Sequence, residues 1–127
     1  EGLPVQTALT RDDSAPGDES VAARVAREIG SLNIGLPGAL GSAGLVVGAT
    51  VDRAAFGLRD VILAGTPILA PGFGAQGAQP ADLTRLFGYV ATNVVASESR
   101  SILAVGPDRL ETRIEERAAL YPRTSHD

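Results

Sequence analysis

The sequence predicts an α/β fold built on a parallel sheet, and three observations carry that expectation. Strand-sized apolar runs fall at 43–50, 67–71 and 89–96 of the 127 residues. The first, Ala43 to Thr50, lacks the polar/apolar alternation of a half-exposed strand, as expected where both faces of a sheet are covered. Between and around them apolar residues recur at helical spacing, so helices and strands alternate along the chain.

Each element follows from local pattern. Prolines at 4 and 16 and the acidic pair Asp12-Asp13 predict an irregular opening loop from Glu1 to Gly17. Asp18 or Ser20 can cap the helix that follows, because a side-chain oxygen there accepts from first-turn amides. Val21, Val25, Ile29 and Leu32 share one face of that helix, with Arg24, Arg27 and Glu28 turned elsewhere. Gly30 weakens its last turn, and Gly35, Pro37, Gly38 and Gly41 end it. The run Ala43 to Thr50 is the first strand, and a short helix is expected from Val51 or Asp52 to Leu63. Pro67 to Pro71 is the second strand. Pro80 suits the first turn of a helix through Ala81, Leu83, Leu86 and Phe87. Tyr89 to Ala96, rich in β-branched residues, is the third strand. A short helical piece, Ser101 to Val105, precedes a longer helix from near Pro107, on which Leu110, Ile114, Ala118 and Tyr121 share a face. Arg109, Glu111, Arg113, Glu115, Glu116 and Arg117 read as its exposed side, and Thr124 to Asp127 as a frayed tail.

Helices alternating with strands imply right-handed crossovers between parallel strands. A complete (β/α)8 barrel, the TIM barrel, takes about 250 residues, so this length matches roughly half of one; a doubly wound sheet satisfies the same periodicity. Residues 1–127 are expected to form one partial domain.

Composition narrows the function. With 44% apolar and 20% charged residues the chain is neither disordered nor membrane-embedded, and no apolar run is long enough to span a bilayer. Neither a basic leader nor a cleavage site is visible, so a cytoplasmic protein is expected. Absence of cysteine removes disulfides, thiolate nucleophiles and cysteine-based zinc sites. A net charge of −4 argues against nucleic acid as a partner. The first residue is Glu1 and there is no methionine, so a processed or truncated piece is expected. All 11 basic side chains are arginine, so no step requiring a lysine ammonium can come from this chain. His126, near the end, has no partner at a meaningful spacing. Asp12-Asp13 and Asp18-Glu19 lack a metal-ligand pattern and read as solvated loops, so no metal is expected.

In parallel α/β folds ligand groups gather where a strand ends and the next helix begins. Thr50, the loop Pro71 to Gly77 and the turn Ser99-Arg100 occupy those positions. Gly72, Gly74 and Gly77 let the backbone approach a ligand closely, and the loop's amides can converge on an anion. Gln76 is the one long hydrogen-bonding side chain in the loop. Arg100 offers a permanently charged fork suited to phosphate. Taken singly, the loop also reads as a tight turn and Arg100 as a surface arginine paired with Glu98 or free in solvent. Together they match the phosphate site that barrels build from the loops after their last two strands.

The strings Val47-Gly48-Ala49-Thr50, Ala70-Pro71-Gly72-Phe73-Gly74-Ala75-Gln76-Gly77, Ser99-Arg100-Ser101-Ile102-Leu103 and Gly106-Pro107 resemble the C-terminal half of the orotidine 5′-phosphate decarboxylases, in the branch of mycobacteria and many other bacteria. Glu1-Gly2 and Val5-Gln6 resemble the segment just after that family's fifth strand, so the likeness covers almost the whole chain. It implies the C-terminal part of a TIM barrel that converts orotidine monophosphate to uridine monophosphate by loss of CO2, with no cofactor and as a homodimer. It further implies that Gly72 to Gly77 wrap the substrate phosphate, that Gln76 reaches phosphate or pyrimidine, that Ser99 and Arg100 face the phosphate, and that Pro71 walls the base pocket. The family's catalytic aspartate–lysine–aspartate cluster has no counterpart here, so no catalytic residue is expected in this chain. Ala78 departs from a second glycine common at that position, and Glu98 sets an acid beside Arg100. Another phosphosugar- or nucleotide-binding barrel enzyme, or a non-catalytic α/β module, remains open on the residues alone.

Overall fold

The computed structural model describes residues 3–10 and 18–122, so Asp12-Asp13, His126 and the expected frayed tail lie outside the described residues. The chain divides into two compact units, Glu1–Leu45 with Asp52–Pro67, and Val46–Val51 with Ile68–Asp127.

The first unit opens with structure where a loop was expected. Helix α1 (Leu3–Thr7) leads into β1 (Leu9–Thr10), which pairs antiparallel with β2 (Glu19–Ser20). Helix α2 (Val21–Leu32) begins at Ser20 rather than Asp18: the Ser20 hydroxyl oxygen accepts from the Ala23 amide at 3.0 Å while its proton goes to the Phe56 carbonyl at 2.6 Å. One side chain thus satisfies an orphan helix donor and ties the helix start to a distant turn. The expected apolar face is only partly right, because Ala23 and Ala26 are the buried residues whereas Val25 and Leu32 are exposed. Small side chains face inward because α2 packs on the short helix α3 (Asp60–Leu63), where the Ile62 carbonyl comes close to Gly30. The single helix expected over 51–63 is two pieces, a 3-10 turn at Ala54–Phe56 and α3, separated by a left-handed Gly57 and braced by the Arg53–Asp60 ion pair at 2.9 Å.

Asn33 caps the end of α2 and clasps the loop beyond it. Its side-chain amide donates to the Ala43 carbonyl at 2.8 Å and its carbonyl accepts from the Ala43 amide at 3.0 Å. Gly41 lies against this clasp so closely that any β-carbon there would overlap the Asn33 side chain.

The second unit carries the sheet. Strands β3 (Leu45–Val46), β4 (Ile68–Pro71) and β5 (Val94–Ser97) are ordered β3–β4–β5 with β4 central. The β4–β5 ladder is parallel, pairing Ile68 with Val94 and Pro71 with Ser97, and the Val47 and Ala49 amides extend β3 toward the Leu69 and Pro71 carbonyls at 3.0 and 2.7 Å. The third strand is shorter than expected. Gly88 to Asn93 form a 3-10 turn that buries Val90 and Ala91 and leaves Tyr89 in solvent, so the ladder starts only at Val94.

Between the strands, Pro80 opens a 3-10 turn that runs into α4 (Leu83–Phe87), as expected. Leu83, Phe87, Val90 and Ala91 are buried, as are Val47, Ile68 and Ala70 on the strands. Full burial of a side chain such as Phe87 or Ile68 contributes about 1.5–3 kcal/mol. The other sheet face departs from the two-sided burial read in the apolar runs. Val46, Leu69 and Val95 point one way and remain 69%, 45% and 60% exposed, since no described residue covers them. After β5 come α5 (Arg100–Leu103), a 3-10 turn at Pro107–Arg109, and α6 (Leu110–Ala118). On α6 Ile114 and Ala118 are exposed, while Leu110 of the expected face is half-buried together with Arg113 and Arg117. The expected face is therefore displaced, for a reason that lies in the site.

Candidate phosphate site at the strand ends

The parallel register sets Pro71 beside Ser97, so the loops that follow β4 and β5 leave the sheet at the same end and next to each other. Between them lies a cavity of about 100 Å³, lined by Pro71, Gly72, Phe73, Ala75, Gln76, Ser97, Ser99 and Arg100. Of the residues singled out in the sequence, Pro71, Gly72, Gln76, Ser99 and Arg100 come together there. Gly74 and Gly77 do not line it, and neither does Thr50, on the turn after β3.

The loop is shaped by its own backbone. The Gly74 amide donates to the Ala78 carbonyl at 2.8 Å, the Gly77 amide to Gly74 at 3.0 Å, and the Ala78 amide to Gly72 at 3.2 Å. Gly74 has φ of +69°, and a β-carbon added there would overlap the Ser101 hydroxyl and sit 2.7 Å from a Glu98 carboxylate oxygen. Only glycine fits. The Ala75 and Gln76 amides at the tip donate to no oxygen among the described residues. The Gln76 side chain folds back, with its carbonyl oxygen over Gly72.

Arg100 is the one charged side chain in the lining, and among the described residues it makes no ion pair. Glu98 does not take it. Its carboxylate turns away and receives both Nε and Nη2 of Arg117, with Nε at 2.9 Å from one oxygen and 3.2 Å from the other. The two side chains are 4% and 16% exposed, which accounts for the inward turn of α6. Hydrogen bonding to Glu98 holds the Arg117 guanidinium above its usual pKa. Beside it, burial and then the Glu98 charge push the Tyr121 hydroxyl up to about 12. That hydroxyl is buried without a hydrogen-bond partner among the described residues, and the Tyr121 ring meets Phe73 edge-on at 5.6 Å, anchoring the loop.

A permanent cation, two open amides and small polar side chains around a cavity of this size suit an oxyanion. Such a cavity takes one group of a ligand, since whole small-molecule sites run to about 300–1,000 Å³. Two larger depressions fit less well. One of about 420 Å³ is lined by Glu98, Arg117 and Tyr121, and one of about 790 Å³ in the first unit is lined by Glu19, Arg27 and Arg59. In the first the arginine is already neutralised by Glu98; in the second Glu19 holds Arg27, and the two carboxylates of the lining, Asp18 and Glu19, offset its two arginines, Arg27 and Arg59. Among the described residues no cluster of three or more His, Cys, Asp or Glu could hold a metal ion. Sequence patterns included Phe73 and Ala75 only as members of the loop Pro71 to Gly77, and did not reveal Ser97 as a lining residue or the Glu98–Arg117 pair. An aromatic inside a glycine loop was a usable sign for Phe73; nothing in the spacing marks the pair.

Parallel strands, intervening helices and a polar cavity at the strand ends define a parallel α/β fold of the kind that (β/α)8 barrels are built from. Within that class, the chain is homologous over most of its length to the orotidine 5′-phosphate decarboxylases, which are carboxy-lyases. The curated enzyme of that name from Salinispora arenicola is 45% identical over 108 residues, covering 85% of this chain and 36% of that protein. Those of Salinispora tropica and Streptomyces coelicolor are 45% and 44% identical, covering 89% and 85% of this chain. A crystal structure from Streptomyces avermitilis assigned as an orotidine 5′-phosphate decarboxylase superposes with a TM-score of 0.77 at 40% identity, over 93% of this chain and 39% of that one. No protein-family model matches the chain. The chain spans a little over a third of the length of the curated relatives it matches.

Proposed function

We propose that this chain supplies the substrate-phosphate site of an orotidine 5′-phosphate decarboxylase, the enzyme that converts orotidine monophosphate to uridine monophosphate and CO2 in pyrimidine synthesis. The observation that carries the reading is the shared cavity between the β4 and β5 loops with an unpaired Arg100 at its edge. Arg100 grips the phosphate dianion through charge-assisted hydrogen bonds, and the Ala75 and Gln76 amides add neutral donors. Gly72, Gly74 and Gly77 give the loop its path around the phosphate, and Ser99 faces it from the other side. The Gln76 side chain reaches phosphate or pyrimidine, and Pro71 walls the base.

Such a grip matters to rate as well as to affinity. Interactions with a remote, unreacting phosphate hold the ring in an electrostatically prepared site, where only transition-state stabilisation accelerates the chemistry. The reacting groups themselves, an aspartate–lysine–aspartate cluster in this family, come from outside this lysine-free sequence. The reading includes a cytoplasmic homodimer as the working form and no cofactor.

Titration of the chain with uridine monophosphate and with uridine, followed by amide NMR, tests it. The Ala75 and Gln76 amides are expected to shift with the nucleotide and not with the nucleoside. Arg100→Ala should weaken nucleotide binding roughly ten- to hundredfold, the range of a hydrogen bond to a charged group. Equal losses for both ligands, or nucleotide shifts confined to other residues, would overturn the assignment.

A further inference from the structure

We propose that Glu98 and Arg117 are a positioning pair whose task is to keep the anion site cationic: Arg117 draws the Glu98 carboxylate away from Arg100. This rests on the phosphate reading above. Glu98 stands between Ser97 and Ser99, both of which line the cavity, yet it is absent from that lining. Strand β5 ends at Ser97 and Ser99 has left the extended conformation, with φ −128° and ψ −68°, so the chain turns at Glu98 and its side chain faces away from the cavity. On the far side the Arg117 guanidinium meets the carboxylate with two nitrogens, and both groups are almost out of water. The carboxylate also lies over Gly74, where a β-carbon would displace it.

The arrangement solves a local problem. A carboxylate two residues before the phosphate-gripping arginine would otherwise compete with the ligand for that guanidinium. Even without moving, an uncompensated negative charge at this distance would repel a dianion, most strongly where water is excluded. Arg117 cancels that charge and fixes where it sits. The pair touches no ligand, so its effect passes through Arg100 and the glycine loop.

The consequence is a compensation that a purely structural ion pair would not show. Arg117→Gln frees Glu98 and should lower the preference for uridine monophosphate over uridine by about tenfold, of the order expected when a gripping group is misplaced. Adding Glu98→Gln removes the freed charge, and the double variant should return to within about threefold of the parent, a strong positive coupling in the cycle. Arg117→Lys keeps the cation and should stay near the parent. A double variant as weak as Arg117→Gln, or an Arg117→Gln variant with unchanged preference, overturns the proposal. Should Arg117→Gln fail to fold because it buries a lone carboxylate, the double variant decides alone: loss of preference there sinks the pair.

A second readout needs no nucleotide. Modification of Arg100 by phenylglyoxal, followed by mass spectrometry, should be several-fold slower in Arg117→Gln, where Glu98 can occupy the guanidinium, and fast again in the double variant. Rates equal in all three overturn the pair. If the parent chain shows no preference for the nucleotide while these rates follow the expected order, the phosphate reading fails and the pair stands.

Discussion

Gly74 is the residue on which the loop turns. Its left-handed φ and its contact with Ser101 and Glu98 are separate demands, and each excludes a β-carbon. Gly77 also has positive φ, at +105°, but nothing lies within 4 Å of the place a β-carbon would take. Gly74→Ala should therefore destabilise the chain by about 1–3 kcal/mol more than Gly77→Ala does, through overpacking added to backbone strain. Urea unfolding midpoints compare the two, and coincident midpoints would refute the steric argument. Tyr121 makes a pH prediction. Its hydroxyl is raised from 10.0 in the unfolded chain to about 12, mainly by burial. The folded state therefore keeps a proton that the unfolded state has lost, so the stability contribution is complete below about pH 10 and falls away toward pH 12. Tyr121→Phe should flatten that alkaline decline in thermal melts; an unaltered decline would mean that other groups cause it. At this scale the sequence was legible for Arg100, Gln76 and Pro71, whose chemistry or position announces them. It was silent on Glu98, because an acid beside an arginine in sequence says nothing of which guanidinium it meets in space.

Helix and strand limits show where periodicity is a good guide and where it fails. The start of α2 was readable, because a hydroxyl just before a run of helix formers is a local signal. Ser20→Ala removes the cap and the bond to Phe56 together and should cost about 1 kcal/mol or somewhat more. Ser20→Thr, which keeps the hydroxyl, should recover most of it. Loss of stability by the same amount in both variants would locate the effect in packing rather than in the hydrogen bonds. Which side of α2 is buried was not readable: the inward side carries Ala23, which lies against Gly57, Ala26, and Gly30, which lies under the Ile62 carbonyl, and apolar spacing weighs such small residues lightly. The third strand was overextended for a related reason. Tyr89 to Asn93 have strand-like composition, but Gly88 and the burial of Val90 and Ala91 wind them into a 3-10 turn.

For the molecule as a whole, alternation of helices with apolar runs was enough to indicate a parallel sheet, since that rhythm has few other solutions. Burial on both faces did not follow, because among the described residues nothing covers the second face. The row Val46, Leu69 and Val95 is left facing water. Contiguous apolar surface on a sheet drives association, so the sedimentation coefficient of the isolated chain should rise with concentration. Leu69→Asn should reduce that rise with little change in stability, because Leu69 is already 45% exposed. A single unchanging monomer across the concentration range would contradict this.

The Asn33–Ala43 clasp has a different consequence. By closing the neck of the segment from Ile34 to Ser42, it uncouples whatever lies beyond from the strand that begins at Leu45. Extra residues spliced in at the tip, near Gly38, would lengthen a surface excursion without shifting strand register. That makes the spot a natural port for an epitope or a reporter dye.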